Sequence, residues 1–513
     1  MTATEPTLTA QTASGLRWSY LGSVVLVVAN LVYTATISRL LGPVAFGLMA
    51  LANLVVLFAQ YFARMGIASA LIQKPQLDRD EIRAASTAGL AFGALCFGLV
   101  WVLAPLLSAL FRQPALIPVL RVLGISFLFE GWSMTGQGLL RRQLRFRELT
   151  TIIVGTYVLG FLIVGVALAA LGAGVWSLVA GSLVSTASQA VWQYALLRHP
   201  VRPPARWKPY RAVCGYGARL SGAHLLDYAG SNLDTVTVGR FATTAVLGEY
   251  SRAYYLVFQP LRNYLAQALT NVLLSSLSRI QHDTERLRRA YLSLLSLGGV
   301  VLFPLCAGMA VAARELVAVV LGPQWGLAAG IVPWFALAGG CSVVAKLSQS
   351  LAEARAELNR SLAVQLAYLV ALGAFLAVAL GFRAHGVWVF AAAVAAGEVL
   401  RHLGYLALMR RVLRLPLAAL ARSQVPAVLA SGAVALAIAA ARGALAGRAP
   451  TVAVFAAETV AGALALWLCV RFAPLRSLRQ ELRLRLVAAG ALGAPGSRRR
   501  RLAPLLLGSG SAP

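Results

Sequence analysis

Fourteen runs of mostly apolar residues, joined by short polar gaps, constrain this 513-residue chain more than any other feature. The hydrocarbon core of a bilayer takes about 20 residues of helix to cross. No water is available there to bond backbone amides, so each such run has to be helical or part of a closed barrel. On that ruler the spans fall at 19–40, 44–63, 85–110, 115–138, 150–171, 174–197, 212–240, 245–277, 290–312, 327–349, 361–381, 386–408, 423–441 and 451–470. Connections this short join antiparallel neighbours. The expected fold class is an all-α integral membrane protein of about 14 transmembrane helices.

Composition supports that class, with 59% hydrophobic residues and 12% charged ones, where soluble domains carry about a quarter charged. A net charge of +29 could suit nucleic acid. The basic residues, however, cluster between apolar runs and do not share one solvated face. They read as topology signals, because cytoplasmic loops hold an excess of Lys and Arg. With both termini cytoplasmic, 34 of the 46 basic residues fall on inner segments. Only seven fall outside (Arg39, Arg112, Arg240, Arg314, Arg383, Arg442 and Arg448), and five lie within spans.

The amino-terminal segment lacks the basic region and small-residue cleavage site of a signal peptide, so the first run is expected to be an uncleaved span. The carboxyl tail alternates Leu with Arg and suits an anionic membrane surface. Five cysteines stand singly without a CxxC pair, so neither a disulfide nor a metal site is expected.

The chain also repeats itself. In "SRLLGPVAFG" and "GRFATTAVLG", Arg39 aligns with Arg240 and Gly47 with Gly248, both at an offset of 201. Pro118 with Pro333, Gly124 with Gly339, and Arg145 with Arg360 share an offset of 215. Spans one to six thus read as duplicated in seven to twelve, and repeats of this kind point to a transporter. The expected layout is two pseudo-symmetric six-helix lobes, 1–197 and 212–409, joined by a basic cytoplasmic linker at 198–211. A two-helix appendage at 410–470 and a basic cytoplasmic tail at 471–513 complete it.

Three stretches carry a resemblance to a family: "ISRLLGPVAFGLMALANLVVLFAQYFARMGIASALIQ", "SNLDTVTVGRFATTAVLGEYSRAYYLVFQPLRNYLAQALTNVLLSSLSRIQHDTERLRRAY" and "VVLGPQWGLAAGIVPWFALAG". In order and spacing they resemble the polysaccharide-exporter branch of the multidrug/oligosaccharidyl-lipid/polysaccharide superfamily. That resemblance implies a flippase that moves polyprenyl-pyrophosphate-linked oligosaccharides from the inner to the outer leaflet of a bacterial plasma membrane. It also implies two lobes that alternate access to a central cavity, no enzyme activity, and polymerases and glycosyltransferases as working partners. No cofactor is expected beyond a proton or sodium gradient.

Ionisable residues at membrane depth normally face a partner or a wet cavity. In span seven His224, Asp227, Ser231 and Asp234 share one helical face. Span eight carries Tyr255, Gln259, Asn263 and Gln267, with Arg252 and Arg262 nearby. Fixed ion pairs that hold a lobe together are one reading of these charges. In the functional reading Arg252 and Arg262 meet pyrophosphate as planar multi-donor cations, and Asp234 or Asp227 takes up a coupling proton. Gln259, Asn263, Asn30 and Gln60 would line the cavity with neutral groups suited to sugars, alongside Glu130, Gln189 and Gln193. The competing reading of such groups is interhelical hydrogen bonding. Trp132, Trp176, Trp192 and Tyr194 are either sugar-stacking rings or interface anchors.

Arg39 reads as the last turn of its helix, with Gly42 as C-cap and Pro43 as stop; with Arg240 it is also a candidate outer gate. Glu398 and Arg401 sit three apart and should pair. Pro260 and Pro304 permit bending. A cation-coupled multidrug exporter is the alternative within transport, and a membrane polysaccharide polymerase or ligase is the alternative of another class. The latter would want catalytic groups on a sizeable outer loop, and the outer connections here are short.

Overall fold

A computed structural model describes residues 8–64, 71, 77–200, 228, 230–261, 283–355 and 357–472, and every regular element among them is helical. Eleven of these helices are long and apolar enough to cross a membrane. Their outward faces carry Leu21, Val24, Val28, Val102, Leu106, Val370, Leu436 and Val452, each more than half exposed. Such a surface is unfavourable in water and neutral against lipid tails.

The chain divides into two compact units, Met1–Ser251 with Val320–Gln324, and Arg252–Val319 with Trp325–Pro513. In the first unit run α1 (Leu8–Leu40), α2 (Pro43–Arg64), α3 (Arg79–Phe111), α4 (Leu116–Leu123), α5 (Ser126–Arg142) and α6 (Phe146–Tyr157). A π-helical segment, Val158–Gly165, leads into α7 (Val166–Ala170), which is followed by α8 (Val175–Leu197). Then come α9, at 230–241, and α10 (Thr244–Ala253), inside which the boundary between units falls.

The second unit continues with a π-helical turn, Tyr254–Phe258, then α11 (Thr284–Val311), α12 (Ala313–Val320) and α13 (Gly326–Ala354). It ends with α14 (Leu358–Gly381), α15 (Trp388–Val412), α16 (Leu417–Leu445) and α17 (Thr451–Phe472). Helix α13 is the hub of this unit, with 67% of its span buried, whereas α17 is peripheral at 17%.

Local chemistry sets the helix ends. Asp78 and Glu81 form a capping box at the start of α3, where the Asp78 carboxylate accepts from the Arg79 amide at 2.7 Å, satisfying donors that have no intrahelical partner. Asp283 caps α11 by accepting from the Arg286 amide at 3.0 Å. The expectation for Gly42 needs correction. It is not in the left-handed region, and Pro43 is the first residue of α2. Proline suits that position because its missing N–H would have had no partner there. The first connection is therefore a direct restart of helix.

Prolines 105, 304, 333 and 426 sit inside helices. Pro260 follows the π-helical turn 254–258, where a wider turn accommodates the missing donor.

Glycines allow a close crossing of α3 and α5 in the first unit. In α3 and α5 an added Cβ at Gly89 would lie 2.4 Å from the Gly131 carbonyl oxygen, and one at Gly131 would lie 2.2 Å from that of Gly89. Backbones approach this closely in membranes only through small residues.

Candidate functional site

The polar groups of the first unit are concentrated on α1, α2, α5, α6 and α8. Glu130, Ser133 and Gln137 follow i, i+3, i+7 along α5, which puts them on one face. The Gln60 amide of α2 donates to Glu130 Oε1 at 2.6 Å. Ser133 Oγ donates to Gln193 Oε1 of α8 at 2.8 Å and accepts from Gln137 Nε2 at 3.3 Å. Gln193 is 1% exposed, and among the described residues its amide nitrogen finds no acceptor. A buried donor without a partner is costly, so it marks a position where a ligand group or water can bind.

Aromatic rings flank this wall. Trp132 and Tyr194 lie 5.1 Å apart between centroids, and Tyr194 meets the His199 ring edge-on at 5.5 Å. His199 also bonds Ser86 at 3.2 Å through Nδ1. Burial pushes the His199 imidazole below its usual range, partly offset by a hydrogen bond to the Pro200 backbone. Further along, Asn30 donates to the Tyr157 hydroxyl at 3.0 Å, beside a cluster of Tyr33, Tyr157 and Phe161. Neutral donors, acceptors and ring faces in this combination suit a hydroxyl-rich ligand.

The repeat-related hairpins meet. Gly47 is the fifth residue of α2 and Gly248 the fifth of α10. A Cβ on Gly47 would lie 1.8 Å from the Thr244 carbonyl oxygen, and one on Gly248 would lie 2.0 Å from that of Pro43. Each helix thus rests its fifth residue on the first residue of the other. Beneath the contact Asp234 is 3% exposed and accepts from the Tyr250 hydroxyl at 2.7 Å. Tyr228 donates to the Leu54 carbonyl of α2.

Arg39 lies in the last turn of α1, its Cγ 3.4 Å from where a Cβ on Gly322 would stand. The adjacent Ser38 carbonyl accepts from Gln324 at 2.7 Å. Arg240 sits 5.7 Å above the Phe241 ring.

In the second unit Arg252 lies 5.2 Å from the Tyr255 ring centroid, and Gln259 closes the π-helical turn. Glu398 and Arg401 pair as expected, at 2.6 Å, and the Tyr368 hydroxyl adds a bond to Glu398 at 3.1 Å. Asp227, Arg262 and Asn263 lie outside the described residues. Sequence reasoning missed Ser133 and Gln137; the i, i+3, i+7 register with Glu130 was the signal that could have found them.

Residues 36–330 match the family model described as polysaccharide biosynthesis protein. Among curated proteins the chain is 26% identical over 324 residues to the lipopolysaccharide biosynthesis protein WzxC of Escherichia coli (strain K12), covering 62% of this chain and 65% of the relative, a little under two thirds of its length. It is 25% identical over 390 residues to the teichuronic acid biosynthesis protein TuaB of Bacillus subtilis (strain 168), covering 75% and 80%. Among solved structures, the lipid II flippase MurJ in an inward closed conformation has the same fold, with a TM-score of 0.68 at 13% identity over 88% of this chain and 98% of that one.

Proposed function

The chain belongs to the polysaccharide biosynthesis protein family, and on that premise we propose that it is a secondary transporter that flips a polyprenyl-pyrophosphate-linked oligosaccharide from the inner to the outer leaflet of a bacterial plasma membrane. It does so through fourteen spans, with both termini cytoplasmic and two six-helix lobes alternating access. The product is passed to polymerases and glycosyltransferases that build a surface polysaccharide.

The observation that carries this reading is the wall of Gln60, Glu130, Ser133, Gln137 and Gln193, flanked by Trp132 and Tyr194, inside a chain whose exterior is apolar. Four of these five polar side chains are neutral amides or hydroxyls; a drug exporter has no need of so many at one wall, whereas a sugar presents many hydroxyls to satisfy. Arg252, Arg262 and Asn263 supply the pyrophosphate and sugar contacts, Gln259, Asn30 and Gln60 extend the polar lining, and Asp234 and Asp227 serve coupling to a proton or sodium gradient. Arg39 and Arg240 form the outer gate. A fold shared with a lipid II flippase supports a lipid-linked sugar as cargo.

The test is flipping by variants reconstituted in liposomes at equal amounts of folded protein. Gln60→Ala and Trp132→Ala should slow transport of the lipid-linked sugar. Asp234→Asn and Arg252→Met should each impair it as well. Unchanged rates in the last two would remove those residues from the mechanism.

A further inference from the structure

Among its described residues the second unit holds two buried clusters of ions that differ in their charge count. Glu398 and Arg401 pair one to one and sum to zero. At the far end of α16, Arg442 faces two carboxylates. Its Nε donates to Glu458 Oε1 of α17 at 2.8 Å, and its Nη2 donates to Glu315 Oε2 of α12 at 2.7 Å and to the Val311 carbonyl that ends α11. The side chains of Glu458, Glu315 and Arg442 are 0%, 14% and 30% exposed.

The other charged groups of α11 and α16 lie at the opposite ends of those helices, Glu285, Arg286, Arg288 and Arg289 in the first two turns of α11 and Arg422 near the start of α16. Arg314 is exposed, and Arg448, also exposed, donates to the Ala444 carbonyl. Besides the thiol of Cys469, helix α17 carries no further ionisable side chain before Arg471.

With both carboxylates ionised the cluster carries one uncompensated negative charge in an apolar surrounding, and like charges held this close disfavour double ionisation. One carboxyl oxygen is also placed to hold a proton. Glu458 Oε2 is buried and has no hydrogen-bond partner among the described residues, while Oε1 holds the guanidinium. A neutral hydroxyl left unbonded there costs far less than an unbonded carboxylate oxygen.

We infer that Arg442, Glu315 and Glu458 form a proton-binding site in the last two helices, with Glu458 Oε2 as its seat. The proton comes from water at the partly exposed Glu315 edge, forms an O–H bond on Glu458, and leaves by the same route. The Arg442 contact to Oε1 is kept in both states, so the cluster gains and loses its charge without unclamping α12, α16 and α17.

An apolar groove of about 350 Å³ borders the seat, walled by Pro304, Gly308, Val434, Ile438, Phe455 and Glu458 itself. It places apolar space directly beside the buried carboxyl. The site is a property of the purified protein whether or not the chain flips a sugar.

The test uses full-length protein in lipid. Infrared difference spectra between about pH 5 and pH 9 should contain a protonated-carboxyl band that Glu458→Gln removes and that Glu315→Gln, by leaving Arg442 and Glu458 balanced one to one, moves to lower pH. In wild-type protein an apolar carbodiimide, which adds only to protonated carboxyls, should modify Glu458 with a yield that falls as pH rises. Identical difference spectra for wild type and Glu458→Gln, or an adduct at Glu458 whose yield does not change with pH, would overturn the inference.

Discussion

Gly47 and Gly248, aligned in the repeat at an offset of 201 residues, lie against each other's helix starts. A Cβ at either would stand within 2.0 Å of a backbone carbonyl oxygen, and a backbone atom cannot swing aside as a flexible side-chain end can. Gly47→Ala and Gly248→Ala should therefore each destabilise the protein by about 1–3 kcal/mol through overpacking. Gly98→Ala and Gly330→Ala, where an added Cβ meets nothing within 4 Å, should leave stability unchanged or raised. Thermal unfolding of the four purified variants checks the contrast.

Buried charge gives a second expectation. Arg401→Met removes the cation paired with Glu398, which is 3% exposed, and breaking a buried pair costs roughly 3–5 kcal/mol. The double change Arg401→Met with Glu398→Gln should recover most of that loss. Equal destabilisation by the single and double variants would mean that lost packing, not lost charge balance, sets the cost.

The polar wall makes its own demand on α8. Replacing Gln193 with Leu removes the acceptor of the Ser133 hydroxyl, and a buried donor left unsatisfied costs about 1–3 kcal/mol. Adding Ser133→Ala should return part of it. In liposomes both variants should flip the lipid-linked sugar more slowly than wild type, even where stability has recovered.

Acid should act through His199. Burial depresses its folded-state value below the ordinary 6.5, so just below that pH the unfolded chain binds a proton that the folded chain does not. Linkage then makes stability rise with pH across this window. The contribution is complete above about pH 6.5 and is lost as pH falls toward the folded value. Tm measured against pH should lose this slope in His199→Gln.

How much of this was legible in the chain depends on whether the signal is local. Apolar run length located the eleven helices able to span a membrane among the described residues, and the paired Arg and Gly steps located the two hairpins that meet. The three-residue spacing of Glu398 and Arg401 gave their pairing, because residues three apart are neighbours on any helix. Gly42 was misread because glycine is a common helix terminator, whereas here the proline after it is an equally good helix starter.

The Arg442 cluster was not legible. Its partners lie 16 and 127 residues away, and Arg442 counted only as a loop cation until tertiary packing brought the carboxylates to it. Ser133 and Gln137 were legible only as a shared register with Glu130; the bond from Ser133 to Gln193 comes from packing against another helix.

The most direct measurement of the central claim is transbilayer movement. Purified full-length protein in liposomes, given a polyprenyl-pyrophosphate oligosaccharide in one leaflet, should deliver it to the other leaflet at a protein-dependent rate that responds to an imposed proton or sodium gradient. Absence of protein-dependent movement across a panel of such lipid-linked sugars, with the protein folded and inserted, would contradict the account.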